Sequence, residues 1–219
     1  MGVEHAALAL SSMRDGRLGP PSSQDGGMPP QVTPSALAAA LERYEPVGER
    51  EELDVRRLLD LVASGADPWS RSEPLHVTAS ALVVDARSQR VLLRWHERFG
   101  RFQQVGGHGD AGEDDPLEVA LREAREETGL EDVYPFVRPG RLGSGDLVHV
   151  AVVPVPARRD ESAHEHGDLR YLLGTDRPEA ATAEHTGAPL QWVSWDDAAG
   201  LTASANLSVL LSRSRALLE

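Results

Sequence analysis

Cysteine is absent from this chain of 219 residues, and so are lysine and isoleucine. Without cysteine there is no thiol nucleophile, no disulfide and no thiolate metal site. Without lysine, Schiff-base catalysis is excluded, and so is the phosphate-binding loop that depends on one. All 22 basic residues are therefore arginine, and Asn206 is the one asparagine, a bias that a GC-rich genome explains. Positive charge is scarce too: 22 basic residues face 35 acidic ones, for a net charge of -13. A field of that sign repels nucleic-acid backbones and anionic membrane surfaces. It also repels phosphorylated small molecules unless cations intervene. No run is long and apolar enough to span a membrane as a helix. The N-terminal "ALAL" is too short for a secretory core and follows Glu4. Ala6 stands where a myristoylation signal needs Ser or Thr. The expectation is a cytoplasmic chain with neither nucleic-acid nor membrane partners.

What is present suffices for a core. Apolar residues make up 40% of the chain, although there are only 3 Phe and 3 Tyr. The length suits one domain with an appendage, or two small domains. Residues 1–32 ("RLGPPSSQDGGMPPQ" among them) are rich in Gly, Pro and Ser and read as a disordered leader, with Met13 or Met28 as alternative starts. "TPSALAAALERY" follows as a helix that Thr33 or Ser35 can cap, with Pro34 near its first turn. In "GEREELDVRRLLDLVASG" the residues Leu53, Val55, Leu58, Leu59 and Val62 recur at helical spacing before Gly65. These helices form an appendage over residues 33–67, too small to bury a core alone. It has to pack on the main domain or on a partner, and a homodimer arm or a lid are two arrangements it allows.

From residue 74 to 219 the pattern changes. "HVTASALVVD" and "RVLLRW" read as strands joined by a turn at residues 86–89, and "RFQQV" as a short strand ending at Gly106-Gly107. A helix is expected over Pro116–Thr128, then short strands in "DVYPFV", "DLVHVAVVPV", "DLRYLL" and "LQWVSW", and a closing helix over Ala205–Leu218. Strands around one central helix, with a closing helix, imply an α+β (α/β) fold, a mixed sheet sandwiched between helices.

The central helix ends in "REAREETGL", Arg122 to Leu130. Asp114 or Asp115 can cap it with Pro116 in the first turn, and Gly129 suits a left-handed stop. Leu117, Ala120, Leu121, Ala124 and Thr128 share one face, and small Ala120 and Ala124 allow close approach to the sheet. Glu123, Glu126 and Glu127 fall together on a neighbouring face, where like charges three or four apart destabilise a helix. A solvated acidic face is the bland reading. The sharper one is a metal site, because a divalent cation makes clustered carboxylates favourable and Mg²⁺ takes carboxylate oxygens together with substrate phosphates.

The stretch "GGHGDAGEDDPLEVALREAREETGL", Gly106 to Leu130, resembles the signature of the Nudix hydrolases, G-x5-E-x7-R-E-U-x-E-E-x-G-U with U bulky and apolar. Arg122, Glu123, Glu126, Glu127, Gly129 and Leu130 fill its second half, with Ala124 in an apolar slot. In its first half Gly107-x5-Glu113 fits, but eight residues rather than seven separate Glu113 from Arg122. One inserted residue explains this, and either Glu113 or Asp114 is then the partner of Arg122. The resemblance implies a Nudix hydrolase domain over residues 74–219 that cleaves a diphosphate linkage in a nucleoside diphosphate-X type molecule through a metal-activated water. It implies that Glu123, Glu126 and Glu127 hold Mg²⁺ or Mn²⁺, with the Gly106 carbonyl as a further ligand, and that Arg122 ties the loop to the helix. The general base is either a motif glutamate or an acidic residue of a later loop.

In "SAHEHGDLRYLL" the residues His164, His166, Asp168 and Arg170 alternate and so share one face of an extended segment, while Glu165 points away. With His108 they are candidate substrate-binding groups; an exposed polar edge strand is the competing reading. Phe99, Phe102, Tyr134 and Trp192 are candidates to stack a base, or core residues in a chain with few aromatics. The marker residues that some Nudix subgroups carry past the motif are not evident, since Gly145, Asp146 and Leu147 stand there and Pro139 lies too close. The cysteine-dependent isomerase of the fold is excluded. A non-catalytic nucleotide-sensing or binding module is the remaining alternative.

Overall fold

Strand β1 (Leu75–Asp85) is buried from His76 to its end and organises everything else. In the computed structural model, residues 35–85, 87–137, 145–158, 161–202 and 204–219 are described. The expected leader over 1–32, with Met13 and Met28, and also Thr33, Pro34, Ala86 and Pro139, lie outside these residues.

Two helices, α1 (Ala36–Arg43) and α2 (Glu49–Ala63), precede β1. After it come β2 (Val91–His96), β3 (Arg101–Gln103), β4 (Val105–His108), α3 (Pro116–Thr128), β5 (Tyr134–Pro135), β6 (Leu147–Val155), β7 (His164–Thr175), β8 (Leu190–Val193), α4 (Trp195–Leu201) and α5 (Ala205–Leu218). The sheet is mixed. β7 runs parallel to β1 along its whole length, with His76 level with His166 and Ser80 with Arg170. On the other side of β1, antiparallel β4 pairs with Thr78 to Ala81 and antiparallel β2 with Val83 and Val84. β6 and β5 pair antiparallel with β7, while β3 and β8 pair with β2.

The period of two along β1 and β7 sorts their side chains onto two faces. Val77, Ala79, Ala81 and Val83 join Leu169, Tyr171 and Leu173 in a core with Ala120 and Ala124 of α3 and with Leu37, Leu41, Val55 and Leu58 of the N-terminal helices. Leu82, Val84 and Leu172 face the other way, onto Leu207, Leu210 and Leu211 of α5. Helices thus cover both faces of a mixed sheet, the α+β arrangement expected. The two N-terminal helices contribute to the main core itself. Leu58 is fully buried and packs over Gly167, where an added Cβ would stand 2.2 Å from its Cδ2.

The acidic character of α2 has a local cause. β6 is an edge strand, and an edge leaves N–H groups unpaired. Glu51 accepts from the Val150 N–H at 3.1 Å and Asp54 from the Val152 N–H at 3.0 Å. The helix therefore seals the edge with its carboxylates.

Several segments differ from the sequence expectation. The histidine-rich segment is not an edge: β7 lies between β1 and β6, because its long parallel register with β1 places it inside the sheet. β5 shrinks to two residues, since Pro135 has no N–H to donate to a ladder. The strand in "LQWVSW" stops at Val193, because Ser194 accepts from the Asp197 N–H and starts α4, which the sequence pattern did not reveal. Ser35 caps α1 by accepting from the Ala38 N–H. Among the described residues no helix is long and apolar enough to cross a membrane.

Candidate active site

The C-terminal half of α3 and the glycine pair of β4 form one surface. Asp115 caps α3 through the Leu117 N–H at 2.9 Å, Pro116 opens the helix, and Gly129 closes it at φ 66°. This fixes the rotation of the helix, so Ala120 and Ala124 face the sheet and Glu123, Glu126 and Glu127 face the β4 end. The two glycines have different reasons. Gly106 sits at φ 144°, and a Cβ there would lie 2.4 Å from the Cα of Ser80. A Cβ on Gly107 would lie 2.6 Å from the carboxyl carbon of Glu123. One glycine lets β4 approach β1; the other leaves room for the carboxylate.

Arg122 organises the cluster. Its Nε and Nη2 donate to the two oxygens of Glu113, each at 3.0 Å, and Nη2 also donates to the His108 carbonyl at 2.8 Å. Its Nη1 donates to Glu123 at 3.0 Å and to Glu126 at 2.9 Å. Glu113 is thus the loop carboxylate that meets Arg122. Asp114 turns away to accept from the Ala36 N–H at 2.6 Å. The extra residue of the loop is absorbed without disturbing the pair, since Asp114 joins α1 and Asp115 caps α3.

Glu127 accepts from the Gly106 N–H at 3.0 Å and lies 3.1 Å from Arg94 Nη1. Burial nevertheless pushes its carboxyl up to about 7, outweighing Arg94 and that N–H. Burial raises Glu123 as well, against the pull of Arg122. Glu113 is lowered by its bonds from Arg122. Four carboxylates face the guanidiniums of Arg122 and Arg94, and Arg94 is shared with Glu184 at 3.4 Å. The arrangement is short of positive charge and offers oxygen donors only. That donor set fits a hard divalent cation such as Mg²⁺ or Mn²⁺.

A second polar group lies on the sheet face that carries the even-numbered residues of β1 and β7. His164, His166, Asp168 and Arg170 share it, as their alternation implies. Asp168 accepts from Thr78 at 3.2 Å, Ser80 at 3.0 Å and Arg170 Nε at 2.7 Å, and Gln104 Nε2 reaches it at 3.3 Å. Arg170 is 4% exposed and also donates to His149 Nδ1 at 3.2 Å. His108 and His166 instead gather with His164 around His76. Burial holds the His108 imidazole down at about 3 and that of His166 at about 4. His76 and Arg94 belong to these groups and carry no local signal. Both lie in apolar strand runs, and only the pairing of β1 with β7 and the Arg94–Glu127 ion pair bring them in.

The aromatic candidates are dispersed. Tyr134 is partly exposed on β5, and Phe102 packs against the α5-side core. Trp192 donates its indole N–H to the Pro178 carbonyl at 3.0 Å, and Phe99 lies beside His96 and Arg101.

The NUDIX domain, compared as a family, matches residues 74–211 of this chain. The chain is a member of the Nudix family. It is 33% identical over 139 residues to a protein of Lactococcus lactis subsp. cremoris (strain MG1363) called "Probable DHNTP pyrophosphohydrolase", covering 62% of this chain and 76% of that one. A solved C. elegans Ap4A hydrolase in a binary complex is similar with a TM-score of 0.50 at 19% identity, over 65% of this chain and 96% of its own. That second likeness is one of fold. The signature-like stretch Gly106–Leu130 lies on the end of β4, the loop that follows and α3.

Proposed function

We propose that this chain is a metal-dependent Nudix pyrophosphohydrolase acting on a small molecule of the nucleoside diphosphate-X type. The observation that carries the reading is the face of Glu123, Glu126 and Glu127 at Gly106-Gly107, short of positive charge, with Arg122 bonding the first two and the Gly106 N–H the third. Glu123, Glu126 and Glu127 hold Mg²⁺ or Mn²⁺, with the Gly106 carbonyl as a further ligand. When bound, the cation neutralises the diphosphate, which a chain of net charge -13 otherwise repels, and brings the pKa of water toward neutrality. Arg122 keeps two of the three glutamates in register with the loop through charge-assisted bonds. A carboxylate of this face would take up the proton as the water oxygen bonds to phosphorus. The bridging oxygen leaves with the departing phosphate.

The relative's name supports a phosphoanhydride substrate class. A phosphoanhydride carried by a nucleoside or pterin-type group, DHNTP included, is the expected ligand. The test is release of phosphate or pyrophosphate with Mg²⁺ across nucleoside triphosphates, DHNTP, nucleotide sugars, ADP-ribose and dinucleoside polyphosphates, with Glu126→Gln alongside. Turnover of one class, abolished in the variant, is the expected result. Silence across the panel with tight ligand binding retained would instead favour a binding module.

A further inference from the structure

Beyond the carboxylate face, four imidazoles converge at the start of β1. His76 and His108 approach Nε2 to Nε2 at 3.1 Å, and so do His164 and His166. The ring centroids of His76 lie 5.1, 5.1 and 4.9 Å from those of His108, His164 and His166. Donor nitrogens of His76, His164 and His166 all fall within 4.8 Å of one another. In the metal-free state the four imidazoles pair off, since each neutral ring offers one donor and one acceptor.

The outer contacts of the rings say what the inner nitrogens are for. His76 Nδ1 bonds the Glu73 carbonyl at 2.9 Å, and His164 Nδ1 bonds the Ser162 carbonyl at 2.9 Å. A carbonyl accepts only, so each Nδ1 carries the proton and each Nε2 presents a lone pair inward. Fixing the tautomer from behind in this way is the usual support of a metal-ligating histidine. We propose that His76, His108, His164 and His166 form a second metal site, lined by nitrogen, that takes one borderline divalent cation of the zinc class. Imidazole donors suit zinc, whereas Mg²⁺ prefers oxygens. Tetrahedral zinc with Zn–N bonds of about 2.0 Å needs ligand nitrogens about 3.3 Å apart. The two pairs already stand near that spacing, and the nitrogens of His76, His164 and His166, within 4.8 Å of one another, have to draw together to reach it.

The site and the carboxylate face share one loop. The His108 carbonyl accepts from Arg122 while its ring joins the histidines. A cation here ties β1 and β7 to β4, the strand that carries Gly106. The role is one of positioning, and it stands whether or not the hydrolytic reading holds.

The test uses the full chain without a histidine tag. Protein is dialysed against Zn²⁺ in a large excess of Mg²⁺, and bound zinc is counted by mass spectrometry. One zinc per chain is expected in the wild type and in Glu123→Gln/Glu126→Gln, and none in His164→Ala/His166→Ala. Retention of zinc by the histidine variant, or loss of zinc from the glutamate variant, would overturn the proposal, as would a wild type that binds none. X-ray absorption of zinc-loaded wild type does not depend on any variant folding. Imidazole outer-shell scattering is expected there, and an all-oxygen shell would reject the site.

Discussion

On α2, Glu51 accepts from Arg213 Nη1 at 2.8 Å and Nη2 at 2.9 Å, from the N–H groups of Val47 and Val150, and from the Tyr44 hydroxyl. On α3, Glu123 and Glu126 share a single nitrogen of Arg122, and Glu127 has one N–H and a partly engaged Arg94. Burial works to raise both Glu51 and Glu127. Around Glu51 the donors outweigh it and hold the carboxyl at about 2; around Glu127 they do not, and it stands at about 7. The two helices are both acidic, yet Glu51 has its charge met by the protein and the α3 face leaves charge unmet. An unmet carboxylate in a folded chain weakens it and is maintained where something else is to bind. The difference supports reading the α2 carboxylate as structural and the α3 face as the proposed cation site, without reference to any relative.

The largest effect expected from this contrast is on turnover. On the proposed reading Glu126→Gln removes one of the cation's oxygen ligands, and it should lower kcat by about 10²–10³-fold, the scale of losing one preorganised electrostatic group. Glu126 is 55% exposed and stands beside like charges, so its urea midpoint should hardly move. Loss of fold in the metal-free variant would mean that the α3 cluster is structural, and the contrast would collapse. Glu51→Gln should do the reverse. It leaves Arg213 without its carboxylate and should destabilise the fold by about 3 kcal/mol in urea unfolding. Turnover per folded molecule should stay near wild type, because Glu51 lies across the sheet edge from the signature.

The sequence carried one of these clusters and concealed the other. The α3 face is legible because every group in it except Arg94 is local: a cap, a glycine stop and glutamates within one turn. The same locality makes the alternation of His164, His166, Asp168 and Arg170 readable. What escaped depends on pairing over long separations. Glu51 meets Arg213 across 162 residues and Val150 across 99. His76 meets His166 only through the parallel register of β1 and β7. The strand character of "PLHVTASALVVD" is plain, but nothing in it marks His76 as anything other than a core residue. For the same reason the competing edge reading of β7 stays open until its partners on both sides are known.

A third expectation makes the contrast a matter of sign, followed by urea unfolding in chelator from pH 3 to pH 8. Glu51 has a folded pKa below its ordinary value of 4.5, so its contribution is present above about 4.5 and is lost as pH falls toward 2. Glu127 has a folded pKa above its ordinary value, so its contribution is present below about 4.5 and is lost as pH rises through 7. Glu51→Gln should flatten the acid limb of the stability profile and leave the neutral limb intact. Glu127→Gln should flatten the decline between pH 5 and 7 and leave the acid limb intact. A neutral limb that Glu127→Gln does not alter would place the unmet charge elsewhere.

The smallest effect tests whether a cation is what the unmet charge awaits. A ligand that binds only the folded state stabilises it by RT ln(1 + [L]/Kd), about 1.4 kcal/mol at tenfold Kd. Mg²⁺ should therefore raise the unfolding midpoint at pH 8, where Glu127 is ionised, and do so less at pH 5.5, where the proton already occupies it. In Glu127→Gln the gain should shrink at both pH values, because one ligand is gone and the charge has been removed in advance. In Glu51→Gln the gain should match the wild type, since that carboxylate has no share in the cation. Equal Mg²⁺ stabilisation of all three proteins would be generic screening of a chain with net charge -13, and calcium or spermidine at matched ionic strength would then reproduce it.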